Sequence, residues 1–149
     1  MKCLLGGQSG CAGIVEFEIT ESVLMQNERT IADTLRTFRE RGIRLAIDDF
    51  GIGYSSLEYL TRFRVDSVKI DQSFIRDMTI NPDTAALVAA IIAMVQIMRL
   101  KVVAEGGETA EQLALLRQYG CDLVQGYYLS RPVRAAEIVT LLNRGLALE

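Results

Sequence analysis

The sequence predicts an α/β fold with a parallel sheet, built from about five βα units. Two observations carry this. Short β-rich apolar runs recur at 14–20, 44–50, 67–72, 101–106 and 122–128, and longer segments with helical spacing separate them. Strand–helix–strand repetition means parallel pairing through crossover helices, and runs nearly continuous in apolar residues suit strands buried on both faces. A closed eight-stranded barrel typically needs at least about 200 residues. Five units in a chain of 149 residues therefore make part of such a barrel, or a small open sheet.

The elements follow in order. The opening MKCLLGGQSGCAG has one lysine and a very short apolar patch, poor material for a signal peptide, so residues 1–13 are expected to form an irregular lead-in. Residues 14–149 contain no Pro/Ser-rich linker and are expected to form a single unit. After the run IVEFEIT (14–20), Ile31, Leu35 and Phe38 stand at helical spacing, and Gly42 is placed to end that helix as a left-handed C′ residue. RLAIDDF (44–50) is the second strand, and a short turn of helix is expected within 55–63. SVKIDQ (67–72) is the third. The apolar run 87–98, broken only by Gln96, reads as a buried helix entered through Asn81-Pro82-Asp83, which offers capping side chains and a helix-compatible proline. KVVAEG (101–106) is the fourth strand, followed by a helix over 111–119 closed by Gly120. DLVQGYY (122–128) is the fifth, followed by a helix over 134–144.

Composition excludes several classes of function. A net charge of −3 argues against a generic nucleic-acid surface, DNA included. The three cysteines, Cys3, Cys11 and Cys121, form no CxxC pair and are odd in number, which favours a reducing compartment, the cytoplasm, over a disulfide scaffold or zinc cage. There is no histidine, the commonest general base. The longest apolar run, at 12 residues, is too short for a membrane span, which needs roughly 20.

The apolar runs end in polar residues: Glu18, with Glu21 following, then Asp48 and Asp49, then Lys69 and Asp71, then Glu105, then Gln125. In parallel α/β architectures the C-terminal strand ends form the active face, so these residues converge. Any one of them alone could be a solvated strand end or a capping carboxylate. As a set, with neither His nor Cys, they suit a hard divalent ion such as Mg²⁺ or Mn²⁺. The adjacent pair in IDDFGIGYSSL fits a two-metal site for phosphoryl displacement, one carboxylate bridging the ions and its neighbour holding the second. Gly51 and Gly53 could equally serve a tight turn after the strand.

The stretches FEITES, IDDFGIGYSSL, VDSVKIDQSFI, VVAEGGET and GCDLVQGYYLSRP resemble the EAL domain, the cyclic di-GMP phosphodiesterase family of bacterial signalling. Together they cover residues 14 to about 145. The resemblance implies a (β/α)8 TIM-like barrel, of which about five units are present, hydrolysis of cyclic di-GMP to pGpG, dependence on Mg²⁺ or Mn²⁺ and inhibition by Ca²⁺. It implies that Glu18 binds the first metal, Asp48 bridges both, and Asp49 and Glu105 hold the second. Lys69 would orient the attacking water or the phosphate, Glu105 would help activate water, and Gln125 would position water or ligand. Glu21 and Glu108 would steady the DDFG loop, which in this family links dimerisation to activity.

The sequence departs from the family pattern in ways that bear on function. The Glu-Ala-Leu signature and the asparagine-bearing strand after it are absent, and with them two ligands of the first metal. Gly107 stands where valine is usual, Ile52 replaces a threonine, and Arg99 replaces a glycine that ends the preceding helix. Three readings follow: a C-terminal portion of a phosphodiesterase, weak or inactive as this chain alone; a non-catalytic module that binds the dinucleotide or a protein; or a unit that associates through its open strand edges as a homodimer.

Overall fold

The computed structural model describes residues 15–26, 28–53 and 57–143. Five strands form one sheet in consecutive order, every pair parallel: β1 (Glu16–Thr20), β2 (Arg44–Phe50), β3 (Ser67–Ile70), β4 (Lys101–Glu105) and β5 (Leu123–Gln125). The crossovers carry α1 (Glu21–Gln26) and α2 (Glu28–Glu40), then α3 (Leu57–Arg62), then α4 (Gln72–Asp77) and α5 (Pro82–Ile97), then α6 (Ala110–Gln118). The helix α7 (Ala135–Asn143) follows the last strand.

The two faces of the sheet differ chemically, which corrects the expectation of strands apolar on both sides. Alternation along each strand and the pairing register put Phe17, Ile19, Leu45, Ile47, Val68, Ile70, Val102, Ala104 and Val124 on one face. All of them belong to or pack on the apolar core under the helices. The other face carries Glu16, Glu18, Asp48, Ser67, Lys69, Lys101, Glu105 and Gln125. That is the face a barrel turns inward. Among the described residues the sheet stays open, with β1 and β5 each paired on one side.

Local chemistry explains the helix ends. Past α2 the chain turns at Gly42 (φ 73°), where Gly42 N–H donates to Arg39 O and Ile43 N–H to Phe38 O, the left-handed exit glycine permits. Phe38 then stacks on Phe17 of β1, ring centroids 5.0 Å apart, locking α2 to the sheet. Asn81 accepts from Asp83 N–H and Thr84 N–H ahead of Pro82, and Thr109 with Gln112 closes a capping box on α6. Two six-residue helices, α1 and α4, were not expected. Each has under two turns, too few for periodicity to register. The signal for α4 was its cap: Asp71 Oδ1 accepts from Ser73 N–H at 2.8 Å, so Asp71 ends the strand run as a capping residue.

The apolar run in α5 is buried along one stripe only, Val88, Ile91, Ile92 and Val95. Leu87 and Ile97 face out, Ile97 at 82% exposure. On α7, Ile138 and Val139 are likewise exposed.

The chain leaves α5 through Arg99 in left-handed geometry (φ 61°), with its N–H donating to Gln96 O. An L-residue with a Cβ is disfavoured there by roughly 1–2 kcal/mol. Replacing Arg99→Gly should stabilise the fold by about 1 kcal/mol, read as a higher urea midpoint at unchanged slope. An unchanged or lower midpoint would show that the arginine side chain offsets the strain.

Candidate metal centre

The site is built at the C-terminal ends of β1 to β4. Lys69, on the middle strand, is 5% exposed. Its ammonium lies 2.7 Å from Glu18 Oε1, 3.2 Å from Asp48 Oδ1 and 2.6 Å from Glu105 Oε1. Burial pulls the pKa of Lys69 down, but the bonds to Glu105, Glu18 and Asp48 outweigh it and raise the value well above the ordinary lysine range. A raised lysine stays charged through and beyond neutral pH, so Lys69 donates hydrogen bonds and does not abstract protons.

Adjacent residues on a regular strand point to opposite faces, yet Asp48 and Asp49 both contribute here. The register of β2 against β3 slips between Ile47 and Phe50, and Asp49 adopts a left-handed backbone, φ 55°. A bulge of this kind re-aims a side chain, and Asp tolerates the left-handed region better than most residues. As a result Asp48, Asp49 and Glu105 each bring a carboxylate oxygen within 4.8 Å of the others. Strained backbone gathered at a cluster of charged groups is common at functional sites.

Two glycines hold this geometry. Gly51 (φ 103°) closes β2, and a Cβ there would stand 2.8 Å from Phe74 Cε2. Gly106 (φ 74°) follows Glu105, and its Cβ would stand 2.6 Å from Gln72 Cβ. Both turns thus press on α4, so the unexpected helix supports the turns that follow Asp49 and Glu105. The Asp71-x-Ser73 capping pattern could have revealed it. At Gly107 an added Cβ would meet Val124 Cγ1 at 2.7 Å, so a valine there would displace Val124.

The remaining expected residues divide. Gln125 pairs in register with Glu105, and its carbonyl accepts from Gly106 N–H at 2.7 Å and Gly107 N–H at 3.2 Å. Glu108 is exposed, and its backbone N–H donates to Gln112 Oε1. The Glu21 side chain and loop residues 54–56 lie outside the described residues, so the steadying of the DDFG loop by Glu21 and Glu108 remains an expectation.

The donor set fits a hard divalent cation. Asp48 Oδ1 is buried, and the Lys69 ammonium 3.2 Å away is shared with Glu18 and Glu105. A buried carboxylate with only a share of one cation is costly, and a metal ion would supply the rest. Desolvation, followed by repulsion from Asp48 and Asp71, raises the pKa of Asp49. A raised acid holds its proton to higher pH, so protons compete with metal sooner than at an ordinary carboxylate. Millimolar Mg²⁺ or Mn²⁺ should therefore raise the melting temperature, increasingly as pH climbs through the acid range, and Asp48→Ala with Asp49→Ala should abolish the effect. Scanning calorimetry checks both; metal stabilisation that survives the double replacement would place the ion elsewhere.

Comparisons with known proteins bear on this arrangement. The family model of the EAL domain matches residues 3–132. The cyclic di-GMP phosphodiesterase NbdA of Pseudomonas aeruginosa is 48% identical over 137 residues, covering 91% of this chain and 18% of that protein. The EAL domain of Mycobacterium smegmatis DcpA superposes with a TM-score of 0.82 at 43% identity, over 89% of this chain and 60% of that one. Klebsiella pneumoniae BlrP1, solved as a manganese/cy-diGMP complex, gives a TM-score of 0.76 at 39% identity, over 81% of this chain and 31% of that one. The chain thus spans less than a fifth of NbdA, 60% of the DcpA structure and about a third of BlrP1. The five parallel strands match the TIM-like barrel of those neighbours in part. With the family model covering most of its length, the chain belongs to the EAL domain family.

Proposed function

We propose that this chain is the C-terminal portion of a metal-dependent phosphodiesterase that hydrolyses cyclic di-GMP to pGpG. One observation carries the reading: Glu18, Asp48 and Glu105, from three strands, converge on the buried Lys69 beside Asp49. Phosphodiesterase naming in a relative 48% identical supports the substrate. Glu18 would hold the first Mg²⁺ or Mn²⁺, Asp49 and Glu105 the second, with Asp48 serving both, and Ca²⁺ would inhibit. When bound, such ions polarise phosphoryl oxygens and acidify water. Lys69, permanently an ammonium, orients the phosphate or the attacking water and offsets charge developing on phosphoryl oxygen. Glu105 receives the proton of that water as it attacks phosphorus in line; the bond from phosphorus to the ribose 3′-oxygen breaks, and that oxygen takes a proton from solvent water. Gln125, one strand further along, positions water or ligand.

The absent Glu-Ala-Leu signature and asparagine favour a second reading for the chain by itself, a module that binds the dinucleotide and turns it over near background. Each 1.36 kcal/mol of lost transition-state stabilisation is tenfold in rate, and metal charge stabilisation amounts to several kcal/mol. Among the described residues the outer edge of β1 is unpaired, and this together with the exposed apolar residues of α7 favours a two-fold homodimer. The cysteine usage fits the reducing cytoplasm. No helix among the described residues is long and apolar enough to cross a membrane.

Calorimetric titration of cyclic di-GMP in Mg²⁺ and then in Ca²⁺, followed by chromatography for pGpG, separates the readings. We expect metal-dependent binding with turnover near background. Efficient turnover would mean that the absent ligands are dispensable or come from a second copy, and no binding would sink both readings. By light scattering, a clean monomer of about 16.5 kDa across micromolar concentrations would end the dimer proposal.

A further inference from the structure

The short helix α4 stands between the two turns that follow the carboxylates. The strand order puts β3 between β2 and β4. Ile70 ends β3, Asp71 caps, and Gln72 opens α4, so the helix rises from the rim of the sheet with no loop beneath it. Its first residue, Gln72, backs onto Gly106, and its third, Phe74, backs onto Gly51. At neither contact is there room for one methyl group. A Cβ on Gly106 would stand 2.6 Å from Gln72 Cβ, and one on Gly51 would stand 2.8 Å from Phe74 Cε2. One turn of helix thus fills the space between the turn after Asp49 and the turn after Glu105.

A helix of six residues has little stability of its own, yet α4 is fixed at both ends. Asp71 is buried and accepts from both Ser73 N–H and the Ser73 hydroxyl. Ile75 and Met78 are buried in the apolar core, and Met78 N–H donates to Phe74 O. A body held this way resists compression from either side. The carboxylate oxygens of Asp48, Asp49 and Glu105 lie within 4.8 Å of one another. How far Asp49 can move relative to Glu105 decides which ion they fit. Mg²⁺ demands near-ideal octahedral geometry with bonds of about 2.0–2.1 Å, whereas Ca²⁺ accepts variable geometry at about 2.3–2.6 Å.

We propose that α4 is the spacer that sets the opening of the metal centre, with Gln72 and Phe74 as positioning residues that favour the smaller Mg²⁺ over Ca²⁺. The inference rests on Asp48, Asp49 and Glu105 being metal ligands. It requires no turnover of the dinucleotide.

Calorimetric titration of the full chain with Mg²⁺ alone and with Ca²⁺ alone tests it. Phe74→Leu takes the ring away from Gly51, and the ratio of Mg²⁺ to Ca²⁺ affinity should fall by about tenfold, the size of effect that residues supporting metal ligands have. Gln72→Gly removes the Cβ at the other turn and should move the ratio the same way, while Gln72→Ala keeps that Cβ and should leave it unchanged. Ile75→Val controls for stability alone, because Ile75 packs in the core and is not a near neighbour of either glycine. It should lower the melting temperature without moving the ratio. An unmoved ratio in Phe74→Leu or in Gln72→Gly overturns the proposal while the metal ligands stand. So does an equal shift in Ile75→Val, which would make the effect one of general loosening. Wild-type chain that takes up neither ion, or uptake that survives Asp48→Ala with Asp49→Ala, overturns the ligand assignment and the spacer together.

Discussion

A single buried ammonium holds the functional end of this sheet together. Lys69 sits on the central strand and reaches Glu18 on β1, Asp48 on β2 and Glu105 on β4, so one side chain ties four of the five strands across their C-terminal ends. Carboxylates gathered this closely repel one another, and removing the ammonium would leave them uncompensated, the situation that makes breaking a buried pair far more damaging than never having built it. The same contacts decide what Lys69 is chemically. Held by acids, it is a fixed positive charge and a donor.

Around that charge the two faces of the sheet divide their work. The helix-covered face supplies the core, with Leu45, Ile47, Val68, Ile70 and Val102 packed beneath α-helices. The other face carries the charged side chains. Its polar character fits a barrel interior, and the exposed apolar residues of α5 and α7 are the outer counterpart of the same openness. Short glycine turns at Gly51 and Gly106, braced on α4, keep Asp49 and Glu105 at the rim. Position at the rim therefore depends on packing beneath it.

Much of this was legible in the sequence. All five strands, the Asn81-Pro82 entry to α5 and the Gly42 and Gly120 exits could be read because each has a local cause: alternation, a capping side chain or a left-handed glycine. The convergence of Glu18, Asp48, Lys69 and Glu105 followed from the rule that strand ends share a face. What escaped was geometry that violates a local rule. Strand alternation would send Asp48 and Asp49 apart; the bulge and the left-handed Asp49 bring them together, and neither has a signal in the alternation pattern. Asp71 was grouped with the strand-end acids because a cap directly after a strand end carries the same letters as a ligand. The mixed character of β1 was visible as EFEIT, but the apolar bias of the other strands masked it.

The consecutive order of the strands has a consequence for how the protein is made. Among the described residues, β2, β3, β4 and β5 each pair with the strand synthesised just before them. Contacts of low sequence separation favour rapid folding, and domains fold as units while synthesis proceeds from the N-terminus. A nascent chain can therefore add one βα unit at a time to the growing edge as it leaves the ribosome. Glu18 and Asp48 precede Lys69 in the chain and Glu105 follows it, so the ammonium is made after two of its acids and before the third. The cluster is then assembled in the order of its codons, with the opposite charge arriving between the acids.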